Sequence, residues 1–343
     1  MPENPLAADL DHVLEHTREL WEELRGGRIF ITGGTGFFGC WLLESFAWAN
    51  YRLGLNASAL ILTRSLEAFK KKAPHLAAHP SILFHSGDIC SFDFPLGSFS
   101  HIIHAATESS TRLSAQSPLN LFDSIVSGTR HTLEFARECG AGKFLLTSSG
   151  AVYGSQPSGM THIPEEYLGA PDSTLPSSAY GEGKRAAETL CALYSKQYGI
   201  EAKIARCFAF VGPYLPLDAH FAIGNFIRDG LNGGPIIVLG DGTPRRSYLY
   251  ASDLAIWLWT ILFKGQSCRP YNVGSDESIS IIEVANRVAA QFPKKVEIEI
   301  RGMPDPSKFL EQYVPDTKNT KSELGLYAWV SLDTAIQKSI RFY

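Results

Sequence analysis

Residues 28–39 read Arg-Ile-Phe-Ile-Thr-Gly-Gly-Thr-Gly-Phe-Phe-Gly and run on at 40–49 as CWLLESFAWA. A β-branched apolar run passes through a glycine-rich turn into a stretch with helical apolar spacing, so the segment predicts strand, turn and helix. Gly34, Gly36 and Gly39 satisfy G-x-G-x-x-G in the one context that gives this spacing meaning. Without a Cβ the turn can tighten, the backbone can approach a pyrophosphate, and the helix can pack closely on the strand. The unpaired N–H groups at the helix start favour phosphate. Gly33, Gly34, Thr35, Gly36, Phe37, Phe38 and Gly39 are therefore the candidate cradle for a dinucleotide.

Working outward, ALILT (59–63), ILFHSGD (82–88), HIIHAA (101–106) and KFLLTSS (143–149) read as strands, and LNLFDSIVSGTRHTLEFAREC (119–139) reads as a helix. Strands alternating with helices imply parallel βαβ units. The expected fold is α/β, a Rossmann-type doubly wound parallel sheet with a smaller mixed α/β C-terminal substrate lobe. Residues 1–26 form an amphipathic helix with Leu10, Val13, Leu14, Trp21 and Leu24 on one face; 27–207 carry the dinucleotide and catalytic residues; 208–343 form the smaller lobe, with segments free to interleave. The Pro-, Gly- and Ser-rich stretch 155–178 is expected to overhang a site.

Composition narrows the class. With 343 residues, 45% hydrophobic and 19% charged, a sizeable core can form. A net charge of −4 with no basic block argues against nucleic acid as a partner. Cys40, Cys90, Cys139, Cys191, Cys207 and Cys268 show no metal spacing and suit reduced thiols, hence the cytoplasm. No signal peptide or membrane span is legible. Ten histidines include no HExxH, and Ser148-Ser149 lacks a nucleophile elbow, so neither metal chemistry nor serine hydrolysis is expected.

Two further patterns bear on chemistry. An NAD site normally places a carboxylate about 20 residues past the glycine turn, at the end of the second strand. Here that end is Leu62-Thr63-Arg64-Ser65, and a guanidinium beside Thr63 suits a 2′-phosphate, so NADP is expected, with NAD as the alternative. Tyr180 and Lys184 fall at i and i+4 of a helical segment and share a face. An ammonium beside the phenol would move it towards neutrality, fitting Tyr180 as a proton donor or acceptor, with Ser149 at a strand end to hold the same oxygen.

TGGTGFFG at 32–39, GDI at 87–89, HAA at 104–106, TSSGAVYG at 147–154, YGEGK at 180–184, VGP at 211–213 and RRSYLYASDLA at 245–255 occur together in one chain. From about Arg28 to Leu326 it resembles the extended short-chain dehydrogenase/reductase family, in particular its nucleotide-sugar epimerases, dehydratases and reductases. The resemblance implies Asp88 and Ile89 at the adenine, Ala105 and Ala106 along the cofactor, and Ser149, Tyr180 and Lys184 as the catalytic set, with Lys184 also at the ribose. It further implies Thr107, Ser149, Asn225 and Arg246 at the nucleotide-diphosphate sugar, the arginine on its pyrophosphate, and a homodimer formed through helices. Departures are informative. Dehydratases and decarboxylases of the family place acids just after the catalytic hydroxyl, where this chain has Gly150 and Ala151; Ala209 and Ser127 stand where asparagines are frequent. The expected activity is NADP-dependent reduction of a 4-keto sugar. An NAD-retaining C4 epimerase, a dehydratase or decarboxylase, and a non-catalytic dinucleotide binder are the alternatives.

Overall fold

Apolar side chains at Ile29, Phe30 and Ile31 leave no polar face, so this strand needs cover on both sides. In the computed structural model, which describes residues 4–106, 117–219, 221–303, 305 and 310–343, it lies inside a seven-stranded sheet, paired on both sides. The strands are Arg28–Thr32 (β1), Ser58–Thr63 (β2), Ile82–Ser86 (β3), His101–His104 (β4), Lys143–Ser149 (β5), Glu201–Cys207 (β6) and Pro270–Val273 (β7). Their order is β3-β2-β1-β4-β5-β6-β7, and every neighbouring pair is parallel. The expected Rossmann-type sheet is thus present. The chain builds outward from β1 in one direction, then resumes on its other side with β4. The crevice between the carboxyl ends of β1 and β4 is the switch point where such sheets take ligands.

Alternation of side chains across the pleat feeds two cores. Ile29, Ile31, Ile103 and Leu145 point into one with Trp41, Trp257 and Trp259. Phe30, Ile102, Phe144 and Leu146 point into the other with Phe135 and Cys191. Helices Phe37–Leu53 and Ala251–Lys264 cover the first face; Pro118–Glu138 and Ala179–Tyr198 cover the second. A third apolar cluster joins helices Ala222–Leu231, Ile281–Ala289 and Leu332–Phe342 in the smaller lobe. β7 and helix Ala251–Lys264, both beyond residue 208, belong to the layers of the large sheet. Among the described residues, no helix is long and apolar enough to cross a membrane.

The N-terminal segment differs from the single helix that its periodicity predicts. It is α-helical over Ala7–Thr17 and tightens to a 3₁₀ helix over Arg18–Leu24. Thr17 Oγ1 donates back to the Val13 carbonyl at 2.6 Å and accepts from Trp21 Nε1 at 2.9 Å, which draws the indole under the segment. The Trp21 ring meets Trp259 at 4.5 Å between centroids, so residues near the N-terminus are part of the main core. Trp21→Ala should cost about 3–5 kcal/mol of stability, measured by chemical denaturation. A loss below about 1 kcal/mol would mean that this segment packs loosely.

Candidate functional site

The glycine turn forbids side chains for separate reasons at separate positions. Gly33 has φ +71° and a Cβ there would sit 2.4 Å from the carbonyl carbon and oxygen of Ala105. A Cβ on Gly34 would meet Ile61 Cγ2 at 2.6 Å, and one on Gly39 would meet the Gly34 backbone at 2.3 Å. Helix Phe37–Leu53 starts with no side-chain cap at Gly36, leaving its first N–H groups for another acceptor.

A cavity of about 250 Å³ opens at this turn. Gly33, Thr35 and Gly36 form one wall; Thr63 and Arg64 leave β2, Asp88 and Ile89 follow β3, and Ala105 and Ala106 follow β4. Leu62, Gly87 and Ser124 complete the lining; the first two belong to stretches quoted from the sequence, and only Ser124 was not singled out. Ser124 comes from the helix Pro118–Glu138, and no motif marks it. Gly34 and Gly39 serve the packing just described, and Phe37 and Phe38 pack on the apolar clusters, Phe38 against Phe210 at 5.0 Å. Thr107 lies outside the described residues. Arg64 is exposed on the cavity wall, Thr63 Oγ1 accepts the Ser65 N–H at 3.2 Å, and Lys72 Nζ donates to the Thr35 carbonyl at 3.1 Å.

Behind the cavity the two central strands are tied by a buried imidazole. Thr129 Oγ1 donates to the Ile125 carbonyl at 2.7 Å, so it accepts from His104 Nε2 at 3.1 Å. His104 Nδ1 then accepts from Thr32 Oγ1 at 2.9 Å, and Thr32 Oγ1 accepts the Ala106 N–H at 3.2 Å. Burial, with the nearby Lys184 charge, holds the imidazole neutral by lowering its pKa to about 3. His104 is a satisfied core histidine, as is His101 between Glu23 and Ser100.

One strand further on, Thr147 Oγ1 donates to the His104 carbonyl at 3.2 Å, and the Thr147 carbonyl accepts from Lys184 Nζ at 2.7 Å. Ser149, at the end of β5, accepts the Ala151 N–H at 3.1 Å. Ser149, Tyr180 and Lys184 thus come together at the end of β5, the strand next to β4, and none of the three lines the cavity. Burial lowers the Lys184 pKa to about 8. The phenol behaves differently from the sequence-based expectation. Burial raises the Tyr180 pKa, the Ser149 hydrogen bond opposes that rise, and Cys207 adds to it. With protein groups alone, desolvation outweighs the Ser149 hydrogen bond.

Two rings missed in the sequence close the site. Tyr313 Oη lies 3.4 Å from Ser149 Oγ and donates to the Cys207 carbonyl at 3.4 Å, and its ring meets Phe208 at 4.6 Å. A Cβ at Gly150 would stand 2.7 Å from Phe208 Cζ and 2.8 Å from Tyr313 Oη. The space beside Gly150 is therefore filled. Tyr313 arrives through the pairing of Gln312–Tyr313 with Arg245–Arg246, in register opposite Arg246. Arg246 itself is paired with Glu311, and Asn225 Oδ1 accepts from Arg228 Nη1 at 3.3 Å; neither lines the cavity. Nearby carboxylates are already engaged: Glu165 accepts from the Asn272 N–H and Asn319, and Glu188 from Arg206 and Ser148. Among the described residues, no cluster of His, Cys, Asp and Glu could hold a metal ion.

The family model described as the NAD dependent epimerase/dehydratase family matches residues 29–274. The chain belongs to this family. It is 32% identical over 300 residues to UDP-glucuronic acid decarboxylase 3 of Arabidopsis thaliana, covering 87% of this chain and 83% of that one. It is 28% identical over 317 residues to UDP-glucuronic acid decarboxylase 1 of Danio rerio, covering 92% and 72%. Among solved structures it is similar to a UDP-glucuronic acid 4-epimerase from Bacillus cereus in complex with UDP-glucuronic acid and NAD, with TM-score 0.77, 21% identity, and 92% and 98% coverage. It is similar also to a dTDP-glucose 4,6-dehydratase from Streptomyces venezuelae with NAD bound, with TM-score 0.77, 24% identity, and 92% and 96% coverage. Members of this family are NAD(P)-dependent enzymes of the extended short-chain dehydrogenase/reductase type.

The turn geometry has a direct test. Gly33→Ala adds a Cβ that must push against the Ala105 backbone, whereas Gly140→Ala carries a similar φ of +73° with nothing within 4 Å. Dinucleotide Kd, measured by calorimetry, should rise at least about tenfold for Gly33→Ala and stay level for Gly140→Ala, with each paying about 1 kcal/mol for its positive φ. Equal effects on binding would sink the close-approach account.

Proposed function

We propose that this chain transfers hydride at a ring carbon, C4, of a nucleotide-diphosphate sugar, in the direction that reduces a keto sugar with NADPH. The observation that carries this reading is the meeting of Ser149, Tyr180 and Lys184 at the end of β5, where Phe208 and Tyr313 fill the space beside Gly150 and no acid stands at 150 or 151. The cavity fits a dinucleotide: one wall is the backbone of the glycine turn at Gly33 and Gly36, and another is polar at Thr63, Arg64 and Asp88. Bound there, the nicotinamide group supplies the hydride.

The protein's own part follows from its side chains. Ser149 orients the substrate oxygen. Tyr180 gives or takes the proton at that oxygen, and the Lys184 ammonium favours the phenolate by charge. Arg64 holds the 2′-phosphate, Asp88 and Ile89 the adenine, and Arg246 the sugar's diphosphate, exchanging its present partner Glu311 for it. Asn225 and Thr107 belong to the same proposed substrate surface. A homodimer is part of the proposal, supported by exposed Leu119 and Leu193 on the helices over the second sheet face. The six free thiols suit a reducing cytoplasm.

The second reading is an epimerase that recycles NAD. The NAD-bound 4-epimerase and dehydratase structures of the same fold favour it. Decarboxylation, the activity in the names of the curated relatives, is less well supported, because the acid that elimination or decarboxylation needs has no counterpart at 150 or 151.

Added to the enzyme with a 4-keto nucleotide-sugar, NADPH should disappear in one-to-one proportion to substrate, read by absorbance. Formation of a sugar isomer with no added cofactor would overturn the reductase reading in favour of the epimerase. Tyr180→Phe should lower kcat by about 10²- to 10⁴-fold while dinucleotide Kd holds. Unchanged turnover would return the chain to a non-catalytic dinucleotide binder. Arg64→Ala should weaken NADPH binding by about 10- to 100-fold and leave NADH binding nearly unchanged, since only the former loses a charge-assisted contact.

A further inference from the structure

On helix Ala179–Tyr198, Tyr180, Lys184 and Glu188 follow one another at intervals of four and share a face. That face lies along the last residues of β5, one contact to each. Lys184 Nζ donates to the Thr147 carbonyl at 2.7 Å, Ser148 Oγ donates to Glu188 Oε1 at 2.5 Å, and the Tyr180 hydroxyl interacts with the Ser149 side chain. Arg206 on β6, in register with Ser148, grips Glu188 with two bonds: Nε to Oε1 at 3.0 Å and Nη2 to Oε2 at 2.7 Å. Its guanidinium also lies 4.7 Å from the Tyr153 ring centroid. Both charged side chains are largely buried. Desolvating such a pair is costly, and apolar residues of similar size would fill the space at least as well, so stability alone gives no reason for it.

Electrostatics supplies one. Burial lowers the Lys184 pKa to about 8, and Cys207, Glu188 and Cys191 work in the opposite direction. Burial pushes the Cys207 thiol up to about 12 and the Cys191 thiol up as well, so both are neutral near pH 7. Of the three, Glu188 is the one held in an ion pair, to Arg206 at 2.7 Å.

We propose that Glu188, clamped by Arg206 and Ser148, is a positioning residue that sets Tyr180 and Lys184 in register with the end of β5 and holds a fixed negative charge beside the lysine. The role rests on the reading of Ser149, Tyr180 and Lys184 as the catalytic set.

Two readouts test it together. Lys184 is followed by the pH dependence of its side-chain NMR signals, assigned with Lys184→Met; turnover is followed with NADPH and a 4-keto nucleotide-sugar. Glu188→Gln keeps the shape and the acceptor for Ser148 but removes the charge. It should lower the Lys184 midpoint by roughly half to one pH unit and kcat by about tenfold, with KM within about twofold. Arg206→Lys keeps the charge and loses the fork, and should lower kcat to a similar extent with the lysine midpoint nearly in place. If either single variant fails to fold, the neutral pair Glu188→Gln with Arg206→Met removes the unpaired buried charge, and the same losses are expected. A wild-type lysine midpoint or a wild-type kcat in Glu188→Gln, or in the neutral pair where it stands in, overturns the proposal. Tyr180→Phe separates the two layers. If it is inactive while Glu188→Gln is not, only the positioning role falls; if Tyr180→Phe itself turns over normally, the catalytic reading falls with it.

Discussion

Between Gly33 and the carbonyl of Ala105 there is no room for a side chain, because the turns leaving β1 and β4 pass each other at backbone contact. The rest of the site depends on that approach. It occurs where the strand order reverses, so the two turns splay apart above the sheet and leave a cleft between them. The cavity walls are the four turns that follow β1, β2, β3 and β4, and the next strand, β5, delivers Ser149 beside them. The cavity and the end of β5 are therefore neighbours by construction of a parallel sheet.

The close approach is held by buried polar contacts. Thr32, His104 and Thr129 form a closed chain of donors and acceptors, and the chain continues through the His104 carbonyl and Thr147 to Lys184. Each buried polar atom in it has a partner, which matters because an unpaired one costs about 1–3 kcal/mol. The same burial that makes these bonds rigid also shifts the titrating groups: His104 is kept neutral, the Lys184 ammonium is weakened and the Tyr180 phenol is raised. An ammonium and a phenol that both titrate away from their ordinary values are what marks this end of β5 as a candidate site.

Much of this was legible along the chain, and the reasons are local. The glycine turn needs its residues consecutively, and Tyr180 and Lys184 are one helical turn apart, so both patterns survive in one dimension. Thr63, Arg64, Asp88 and Ala105 could be placed because each follows a strand whose apolar run is plain. The 3₁₀ stretch after Thr17 was not legible, since it arises from a side-chain bond to Val13 and an indole drawn into a distant tryptophan. Tyr313 was not legible either. It reaches Ser149 across 164 positions of sequence, carried by a two-residue strand pairing with Arg245–Arg246.

The sequence by itself determined the strand-turn-helix that starts the fold, the alternation that makes the sheet parallel, and the shared helix face of Tyr180 and Lys184, because each is fixed by steric and periodic rules acting over a few residues. Only the tertiary structure decided what stands against them: that Phe208 and Tyr313 fill the space beside Gly150, that Arg246 meets Glu311, and that Glu188 is held by Arg206 behind the catalytic face. Those contacts join segments far apart in the chain, and burial, which sets both their strength and the pKa shifts, is a property of the assembled core rather than of any stretch of sequence.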